Sequence, residues 1–428
     1  MREISDISLR IAVLLRRRYR NALIRGWRSR KVRLVSRAVS NRRETNKPTP
    51  VYFLVSQPEL WWSSSLVKLL KDGPDFRPVI VVFPDRESPR DLTVSEEMNY
   101  NFARTQGVEV IRPCLGGHQA KVRDVIEFGS IAFLQQPEMH LPQKWRMSVL
   151  GSKALLAYVP YGLKVSNVGD DHFNLPLHNA AWRIFAETTW HATNFTIHSH
   201  SRGKNVRSLG YPKFDGYGDD EQTGVVDQKV NRYPQRTVII APHWSVRDSY
   251  LGYSTFEKFH SFWCRLATDF PQICWIMKPH PRLEQQVVRT GVMTSQDINK
   301  YFEWWEKTRN TRLLLGPDYL KFFKQSAGML TDSGSFIAEY LPTRAPLLLM
   351  ESGNSVGYNE FGSMILETQY RATTEDEIYR FVEETVIRGD DPARSHRDEL
   401  VTNFGWNNPT GASAAIYNHL RKEAGKHV

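Results

Sequence analysis

Three short polar segments in the C-terminal half of this 428-residue chain contain the side chains best suited to chemistry. Each follows a short apolar run, and imidazole, ammonium and guanidinium groups stand there beside hydroxyls and a carboxylate. Imidazole binds and releases protons near neutral pH, while lysine and arginine bind phosphate oxygens. These residue types predict chemistry on a phosphorylated ligand. The segments are Ala241-Pro242-His243-Trp244, Lys278-Pro279-His280-Pro281-Arg282 and Thr331-Asp332-Ser333-Gly334-Ser335.

The second segment predicts a catalytic histidine held in a rigid turn. Prolines on both sides of His280 fix φ and leave the backbone few alternatives. A single histidine at the end of a strand is more often structural, but the neighbouring Lys278 and Arg282 add two phosphate-binding cations. We therefore expect His280 to be catalytic and its two cationic neighbours to bind phosphate.

The third segment is typical of a turn that begins a helix. The N–H groups and dipole of a helix N-terminus favour a bound phosphate, although serine, aspartate and glycine are also ordinary capping residues. Glu339 lies about one turn beyond Ser335 and either reaches a ribose hydroxyl or faces solvent. The candidate phosphate ligands of this segment are Thr331, Asp332, Ser333, Gly334 and Ser335.

Several other kinds of site are excluded by what the sequence lacks. No GxGxxG, Walker A or DxD motif occurs, which argues against a dinucleotide oxidoreductase, a P-loop NTPase and a DxD-type metal-dependent glycosyltransferase. Cys114, Cys264 and Cys274 have no CxxC spacing, so neither a disulfide framework nor a Cys-rich zinc site is expected. We expect no metal and no cofactor.

Alternating apolar runs and amphipathic stretches after Pro50 predict βα units and parallel sheets. A polar, Gly- and Asp-rich stretch over 215–236 is the expected linker, which gives predicted domains at 48–225 and 226–428. Strands are predicted at 51–55, 79–83, 108–111, 131–134 and 154–159 in the first half, and at 238–240, 273–278, 328–330 and 347–350 in the second. Helices are predicted at 254–269, from 335, after a capping box of Thr374 with Glu377, and at 412–422.

Polar residues also follow the predicted strands of the first half. Ligands of open parallel sheets bind at the carboxyl ends of the strands, so these residues predict an acceptor side. If the carboxyl ends of the strands of the two halves faced each other, they would form a cleft between two Rossmann-like domains. The candidate acceptor-side residues are Gln135, Gln136, Tyr161 and Gly162.

The net charge of +11 belongs almost entirely to the N-terminal segment 1–47. This segment holds 15 Lys/Arg and 3 Asp/Glu, which leaves 42 basic and 43 acidic residues for the remainder. One apolar stripe runs through it: Ile4, Ile7, Ile11, Leu15, Tyr19, Leu23 and Trp27. A basic amphipathic helix on an anionic membrane surface is expected. A helix docked on the protein or on a partner, a transit peptide and a nucleic-acid arm are the alternatives.

In this order the motifs resemble the CDP-glycerol glycerophosphotransferase family, the membrane-associated polymerases and primases of teichoic-acid and capsule synthesis. The resemblance runs from about residue 51 to about residue 370. It rests on Gln135-Gln136-Pro137, Tyr161-Gly162-Leu163, Gly210-Tyr211-Pro212-Lys213-Phe214-Asp215 and the three segments above. It implies a GT-B fold, a CDP-glycerol or CDP-ribitol donor bound by the C-terminal half, attack by a hydroxyl on the β-phosphate, and departure of CMP. A glycopolymer or lipid-linked acceptor at the cytoplasmic face of the bacterial plasma membrane is implied too, with no nucleic-acid partner.

The chain departs from the family pattern at two places. Family members commonly have a Trp-His-Gly-Thr segment where Pro160-Tyr161-Gly162-Leu163 stands here, and Ala-Pro-Thr-Trp where this chain has Ala241-Pro242-His243-Trp244. Because a phenol with a pKa of about 10 is a poor base, His243 is predicted to activate the acceptor hydroxyl, although it lies in the donor half. A GT-B glycosyltransferase with a nucleotide-sugar donor is the alternative function, and a nucleotide-sugar epimerase or a silent binding protein is a third.

Overall fold

Parallel β-strands form two separate sheets in this computed structural model, which describes residues 31–86, 91–114, 119–136, 141–217, 236–403 and 411–424. By their internal contacts, the residues divide into two units. The first consists of Met1–Tyr161, Gly169–Pro212 and Asn407–Val428, and the second of Gly162–Val168 and Lys213–Trp406.

The first unit contains a seven-stranded parallel sheet among the residues described. Its strand order is β3-β2-β1-β4-β5-β6-β7, so the order reverses between β1 and β4. β1 is buried along its whole length, as its apolar sequence requires, and alternate side chains enter the cores on the two faces of the sheet. The strands are β1 Thr49–Val55, β2 Phe76–Val82, β3 Glu109–Ile111, β4 Ser130–Leu134, β5 Ala154–Tyr158, β6 Arg183–Ala186 and β7 Val206–Ser208.

The second unit contains a six-stranded parallel sheet within the described ranges. Its order is β10-β9-β8-β11-β12-β13, with the reversal between β8 and β11. The strands are β8 Thr237–Ala241, β9 Cys274–Met277, β10 Thr311–Leu313, β11 Gly328–Thr331, β12 Leu347–Met350 and β13 Tyr370–Ala372. All nine strands predicted from the sequence are confirmed.

Four strands were not predicted: β6, β7, β10 and β13. Each has only three or four residues and contains one arginine, so none presents an apolar run long enough to be recognised. All four lie in the outer part of their sheets, and three of them are terminal strands.

Helices connect the strands in both units. In the first, residues 31–44 are helical (α1), followed by α2 Ser64–Asp72, α3 Leu92–Arg104, α4 Val122–Val125, α5 Met147–Leu150, α6 Asp170–Phe173, α7 Pro176–Ala180 and α8 Thr189–His198. The second has α9 Phe256–Asp269, α10 Leu283–Arg289, α11 Ser295–Lys307, α12 Leu320–Gln325, α13 Gly334–Glu339, α14 Glu360–Leu366, α15 Glu375–Arg380 and α16 Arg394–Asn403; α17 is Ala412–Glu423. The predicted capping box of α15 is present.

The C-terminal helix α17 packs in the first unit, whereas the sequence predicts a single domain over residues 226–428. Ile416 and Leu420 are fully buried in the same core as Val35 and Val39 of α1. Their four-residue spacing puts them on one helix face, and that face covers the first sheet. Sequence periodicity reveals such an apolar face, but not which sheet it covers.

Part of the basic N-terminal segment belongs to the folded body. Residues 1–30, which hold the whole predicted apolar stripe, lie outside the described residues, and so do Pro137 and most of the expected linker (218–235). Helix α1 buries Val35, Ser36 and Val39, so this stretch is docked on its own unit. No helix in the described part of the chain is long and apolar enough to cross a bilayer.

Candidate functional site

The three polar segments of the second half meet where the order of the second sheet reverses. His243 follows β8, His280 follows the neighbouring β9, and Asp332 follows β11 on the other side of β8. The rings of His243 and His280 have their centroids 5.5 Å apart. The expected convergence at the carboxyl ends of the strands is therefore observed within this unit.

Asp332 joins these strand ends through its carboxylate. One oxygen accepts the N–H of His243, and the other accepts the N–H of Thr255 and its hydroxyl, the latter at 2.9 Å. Burial raises the pKa of Asp332 to about 7, while the three donated hydrogen bonds oppose the rise. A fully buried carboxylate with these partners is a structural clamp, which differs from the phosphate contact expected from the sequence.

Thr331 is also occupied by its own strand neighbours. Its hydroxyl donates to the carbonyl of Ala241 at 2.7 Å and accepts the N–H of Ser333 at 3.0 Å, and the residue is fully buried. Ser333 precedes α13 and makes no side-chain capping hydrogen bond. Of the five residues proposed in this segment, Ser333, Gly334 and Ser335 thus remain candidates for ligand contact.

The hydrogen bonds of His243 define its tautomer. Its Nδ1 accepts the N–H of Ser245 at 3.3 Å and lies 2.8 Å from the Ser245 hydroxyl. That hydroxyl oxygen already accepts the N–H groups of Tyr253 and Ser254, so its own hydrogen points to Nδ1. Nε2 therefore carries the ring proton. Burial lowers the pKa of His243 to about 3, so the ring is neutral near pH 7.

His280 has the same tautomer for a similar reason. Its Nδ1 accepts the backbone N–H of Arg282 at 3.1 Å, so the ring proton is on Nε2. The backbone N–H of His280 donates to the carbonyl of Pro242, also at 3.1 Å. Burial, then the proximity of His243 and Lys278, holds the pKa of His280 well below its usual range. The site thus contains two neutral imidazoles that are N–H donors at Nε2 and weak bases.

Two cations lie beside the imidazoles and rest on aromatic rings. The ammonium of Lys278 is buried and lies 5.3 Å from the ring centre of Tyr319, and the guanidinium of Arg282 lies 5.3 Å from the ring centre of Trp244. Contacts of this kind are typical cation–π pairs. The combination of two positive charges and two neutral donors suits a phosphate-bearing anion.

Glu339 does not face solvent, since only 2% of its surface is exposed. The ammonium of Lys213 lies 3.2 Å from its Oε2 and 2.6 Å from the hydroxyl of Tyr319, which donates to the same Oε2. A Cβ at Gly162 would lie 3.4 Å from Glu339 Oε1 and 3.6 Å from Ser335 Cβ. Gly162, expected on the acceptor side, therefore lies in the second unit beside two candidate donor residues.

The remaining acceptor-side residues belong to the first unit. The side-chain oxygen of Gln135 accepts the N–H groups of Ser56 and Gln57 at 3.0 and 3.1 Å, so the amide is used within the unit. Gln136 follows it and is half-buried. Tyr161 is 40% exposed, and its carbonyl accepts the hydroxyl of Tyr211 at 2.6 Å.

Several other buried polar residues of the two units have no role predicted from the sequence. Neither apolar runs nor motifs at the ends of strands point to them. Glu187 follows β6 with 3% exposure and contributes, after burial and Tyr161, to the raised pKa of Tyr158. Lys213 stood in one of the quoted family motifs, and that motif was the available signal for it. The others are Ser245, Thr255 and Tyr319.

Comparison with known proteins gives a clear result for the fold. No family model and no curated protein sequence matches the chain. The Staphylococcus aureus MnaA–UDP structure matches at 16% identity and TM-score 0.52, covering 87% of this chain and 96% of that one. UDP-GlcNAc 2-epimerase from Neisseria meningitidis with UDP-GlcNAc matches at 14% and 0.53, covering 88% and 100%. A CDPG-soaked variant of the wall teichoic acid polymerase TagF matches at 12% and 0.57, covering 95% and 97%. The chain has the two-domain α/β fold of these proteins, of the GT-B kind.

Proposed function

We propose that the protein transfers glycerol phosphate or ribitol phosphate from a CDP-alcohol to a hydroxyl of a membrane-linked or capsular glycopolymer. The acceptor oxygen bonds to the β-phosphorus, the bond from that phosphorus to the bridging oxygen breaks, and CMP leaves with the bridging oxygen. The acceptor proton is released. The observation that carries the proposal is the pair of neutral imidazoles that act as N–H donors beside Lys278 and Arg282, at the carboxyl ends of the strands of the second sheet.

We assign donor binding and leaving-group stabilisation to this cluster. His280 and His243 donate their Nε2 hydrogens to diphosphate oxygens, and the two cations offset the charge that develops on CMP. Ser333, Gly334 and Ser335 are proposed as further phosphate contacts, and Glu339 as the ribose contact. The general-base role expected for His243 is not retained, because burial depresses its pKa to about 3 and Nε2 already holds a proton.

The likeness in fold to TagF supports this proposal over other phosphate chemistry. The same likeness extends to UDP-GlcNAc 2-epimerases, so the donor must be tested directly. A thermal-shift screen of CDP-glycerol, CDP-ribitol, UDP-GlcNAc and CMP reports the native-state ligand by mass action. Release of CMP with a phosphodiester in the product is expected. A glycosidic product would identify a glycosyltransferase, and conversion of UDP-GlcNAc without an acceptor an epimerase.

We also propose that residues 1–30 bind the cytoplasmic face of an anionic bacterial membrane. The charge of the N-terminal segment supports this, and each basic residue near such a surface contributes about 1 kcal/mol. Deleting residues 1–30 is the suitable test, because deletion of 1–47 would also remove Val35 and Val39 from the first core. The full chain should sediment with anionic liposomes at low salt and the truncated chain should not. Equal sedimentation would disprove the proposal.

A further inference from the structure

Lys213 is a buried cation placed where the chain enters the second unit. The first unit ends at Pro212 along this stretch, and Lys213 lies in the 3-10 helix Pro212–Tyr217. Only 8% of Lys213 is exposed, and its ammonium lies 5.0 Å from the ring centre of Tyr319. A buried ammonium is costly unless it is paired, so its partners define why it is there.

Both donors of this cluster converge on one oxygen of Glu339. Lys213 and the hydroxyl of Tyr319 donate to Oε2, and the hydroxyl of Tyr217 holds the backbone carbonyl of Glu339 at 2.7 Å. Oε1 accepts no hydrogen bond from any described residue. It lies beside Gly162, which has no side chain to cover it. The cluster therefore fixes the carboxylate through Oε2, and Oε1 accepts no hydrogen bond from the described residues.

We propose that Lys213 and Tyr319 are positioning residues that aim Glu339 Oε1 at the hydroxyls of a bound ribonucleotide. One carboxylate oxygen has two lone-pair sites and accepts two O–H donors, which matches a vicinal diol. The cluster is then the element that distinguishes ribonucleotides from deoxyribonucleotides. This inference rests on the proposed function for the nucleotide and for the ribose contact of Glu339.

A purely structural role for the same cluster has a different signature. Loss of a buried ion pair alone would lower stability and weaken every nucleotide equally. Loss of positioning would weaken ribonucleotides and leave deoxyribonucleotides almost unchanged. The ratio of the two dissociation constants separates these roles, and it is independent of how much stability each variant loses.

The experiment measures dissociation constants of CMP and 2′-deoxy-CMP by calorimetry for the full chain and four variants. The variants are Lys213→Met, Lys213→Arg, Tyr319→Phe and the matched control Tyr340→Phe. Tyr340 is a fully buried tyrosine of the same unit whose hydroxyl pairs with that of Ser326 at 2.7 Å and makes no hydrogen bond to the Glu339 carboxylate. Tyr319→Phe keeps the test available should Lys213→Met not fold.

The wild type should prefer CMP by about tenfold or more, the effect of a hydrogen bond to a charged group. We expect Lys213→Met and Tyr319→Phe to reduce this preference for CMP to about threefold or less. Lys213→Arg, which keeps the positive charge, should retain part of the preference, and Tyr340→Phe should retain all of it. An unchanged ratio in both Lys213→Met and Tyr319→Phe overturns the inference.

Failure of the proposed function would look different from failure of the inference. If the wild type binds no cytidine nucleotide, the CDP-alcohol donor is wrong, and the same ratio is measured with UDP and 2′-deoxy-UDP. A uridine ratio that collapses in Lys213→Met and Tyr319→Phe supports the positioning role with another donor. The positioning role is overturned if the wild type binds the ribonucleotide and its 2′-deoxy form equally well, or if it binds neither cytidine nor uridine nucleotides.

Discussion

In both sheets a polar side chain joins two strand ends at the point where the strand order reverses. Only the second sheet has titratable and cationic side chains around that point. In the first unit, Gln135 at the end of β4 binds the backbone N–H groups that follow β1. In the second, Asp332 at the end of β11 binds the backbone N–H that follows β8. Each side chain joins the ends of two neighbouring strands. Both residues were candidate ligand contacts in the sequence, and both are clamps in the structure.

What differs is the set of neighbours around each clamp. Around Asp332 stand His243, His280, Lys278 and Arg282, whereas the clamp of the first unit contacts backbone groups of the β1 exit. A polar residue at the end of a strand is thus weak evidence for a ligand site. A second titratable ring, and cations that rest on aromatic surfaces beside it, are stronger evidence.

The largest difference between the two reversal points should be in transfer rate. We expect His280→Ala and Arg282→Ala each to lower the turnover of a CDP-alcohol by about 10²–10³-fold, as for other electrostatic groups at a transition state. Gln136→Ala in the first unit should leave the protein folded with a smaller loss. CMP release at saturating donor is the measurement. Near-wild-type turnover in both second-unit variants would remove the catalytic assignment.

The clamps themselves should control stability rather than chemistry. Asp332→Ala leaves the N–H groups of His243 and Thr255 without their acceptor, at about 1–3 kcal/mol each, so we expect a total loss near 3 kcal/mol. Gln135→Ala also exposes two donors, but the one on Gln57 is only partly buried, and about 1–2 kcal/mol is expected. Thermal and urea unfolding followed by tryptophan fluorescence measure both. An Asp332→Ala protein of unchanged stability would show that the clamp is unimportant.

The sequence predicted the parallel sheets because buried strands are continuous apolar runs. The apolar sequences of β1 and β8 indicate buried strands directly. In contrast, β10 has the sequence Thr-Arg-Leu, which gives no local indication of a strand, and it forms by pairing with β9. The terminal helix was predicted correctly but assigned to the wrong unit. Long-range packing decides such assignments, and periodicity carries no information about it.

The convergence of the three polar segments was predictable from the sequence, but the protonation of their side chains was not. Because each follows a strand of a parallel sheet, His243, His280 and Asp332 are expected to lie together at the carboxyl ends of the strands. Protonation could not be predicted in this way, because it depends on burial and on hydrogen bonds such as that from Ser245 to His243. A histidine chosen as a base because of its ordinary pKa is, in this environment, a neutral donor.

The pH dependence of donor binding should sharpen this point. Burial depresses the pKa of both histidines in the unliganded protein, to about 3 for His243. A bound diphosphate stabilises the protonated rings, so their pKa is higher in the complex. At a pH between the pKa of a histidine in the free protein and its pKa in the complex, the complex binds more protons than the free protein. Affinity for the donor therefore rises as pH falls, by at most about tenfold per pH unit for each proton.

A CDP-alcohol is the right probe for this measurement, because its diphosphate diester has no proton that titrates between pH 5 and 8. The dissociation constant should be flat above about pH 7, well above the depressed values, and should decrease towards pH 5.5. Proton uptake is read from calorimetry in buffers of different ionisation enthalpy. Affinity that weakens steadily from pH 7 to 5.5 would contradict the assignment, and His243→Gln should reduce the uptake.

The smallest effect on transfer is expected for Tyr161→Phe in the first unit. This variant tests whether the first unit supplies the base that activates the acceptor hydroxyl. The side chain is 40% exposed, and a phenol, whose pKa in model compounds is about 10, is a poor base. The Tyr161 carbonyl accepts the Tyr211 hydroxyl, and this hydrogen bond is retained in Tyr161→Phe. Transfer should therefore stay within about threefold of wild type, because removing a group that makes no bond in the transition state costs little transition-state stabilisation. Tyr211→Phe is the control for loop position, and His243→Gln should instead weaken donor binding. Complete loss of transfer in Tyr161→Phe, with donor binding intact, would mean that the phenol activates the acceptor and that the first unit supplies the base.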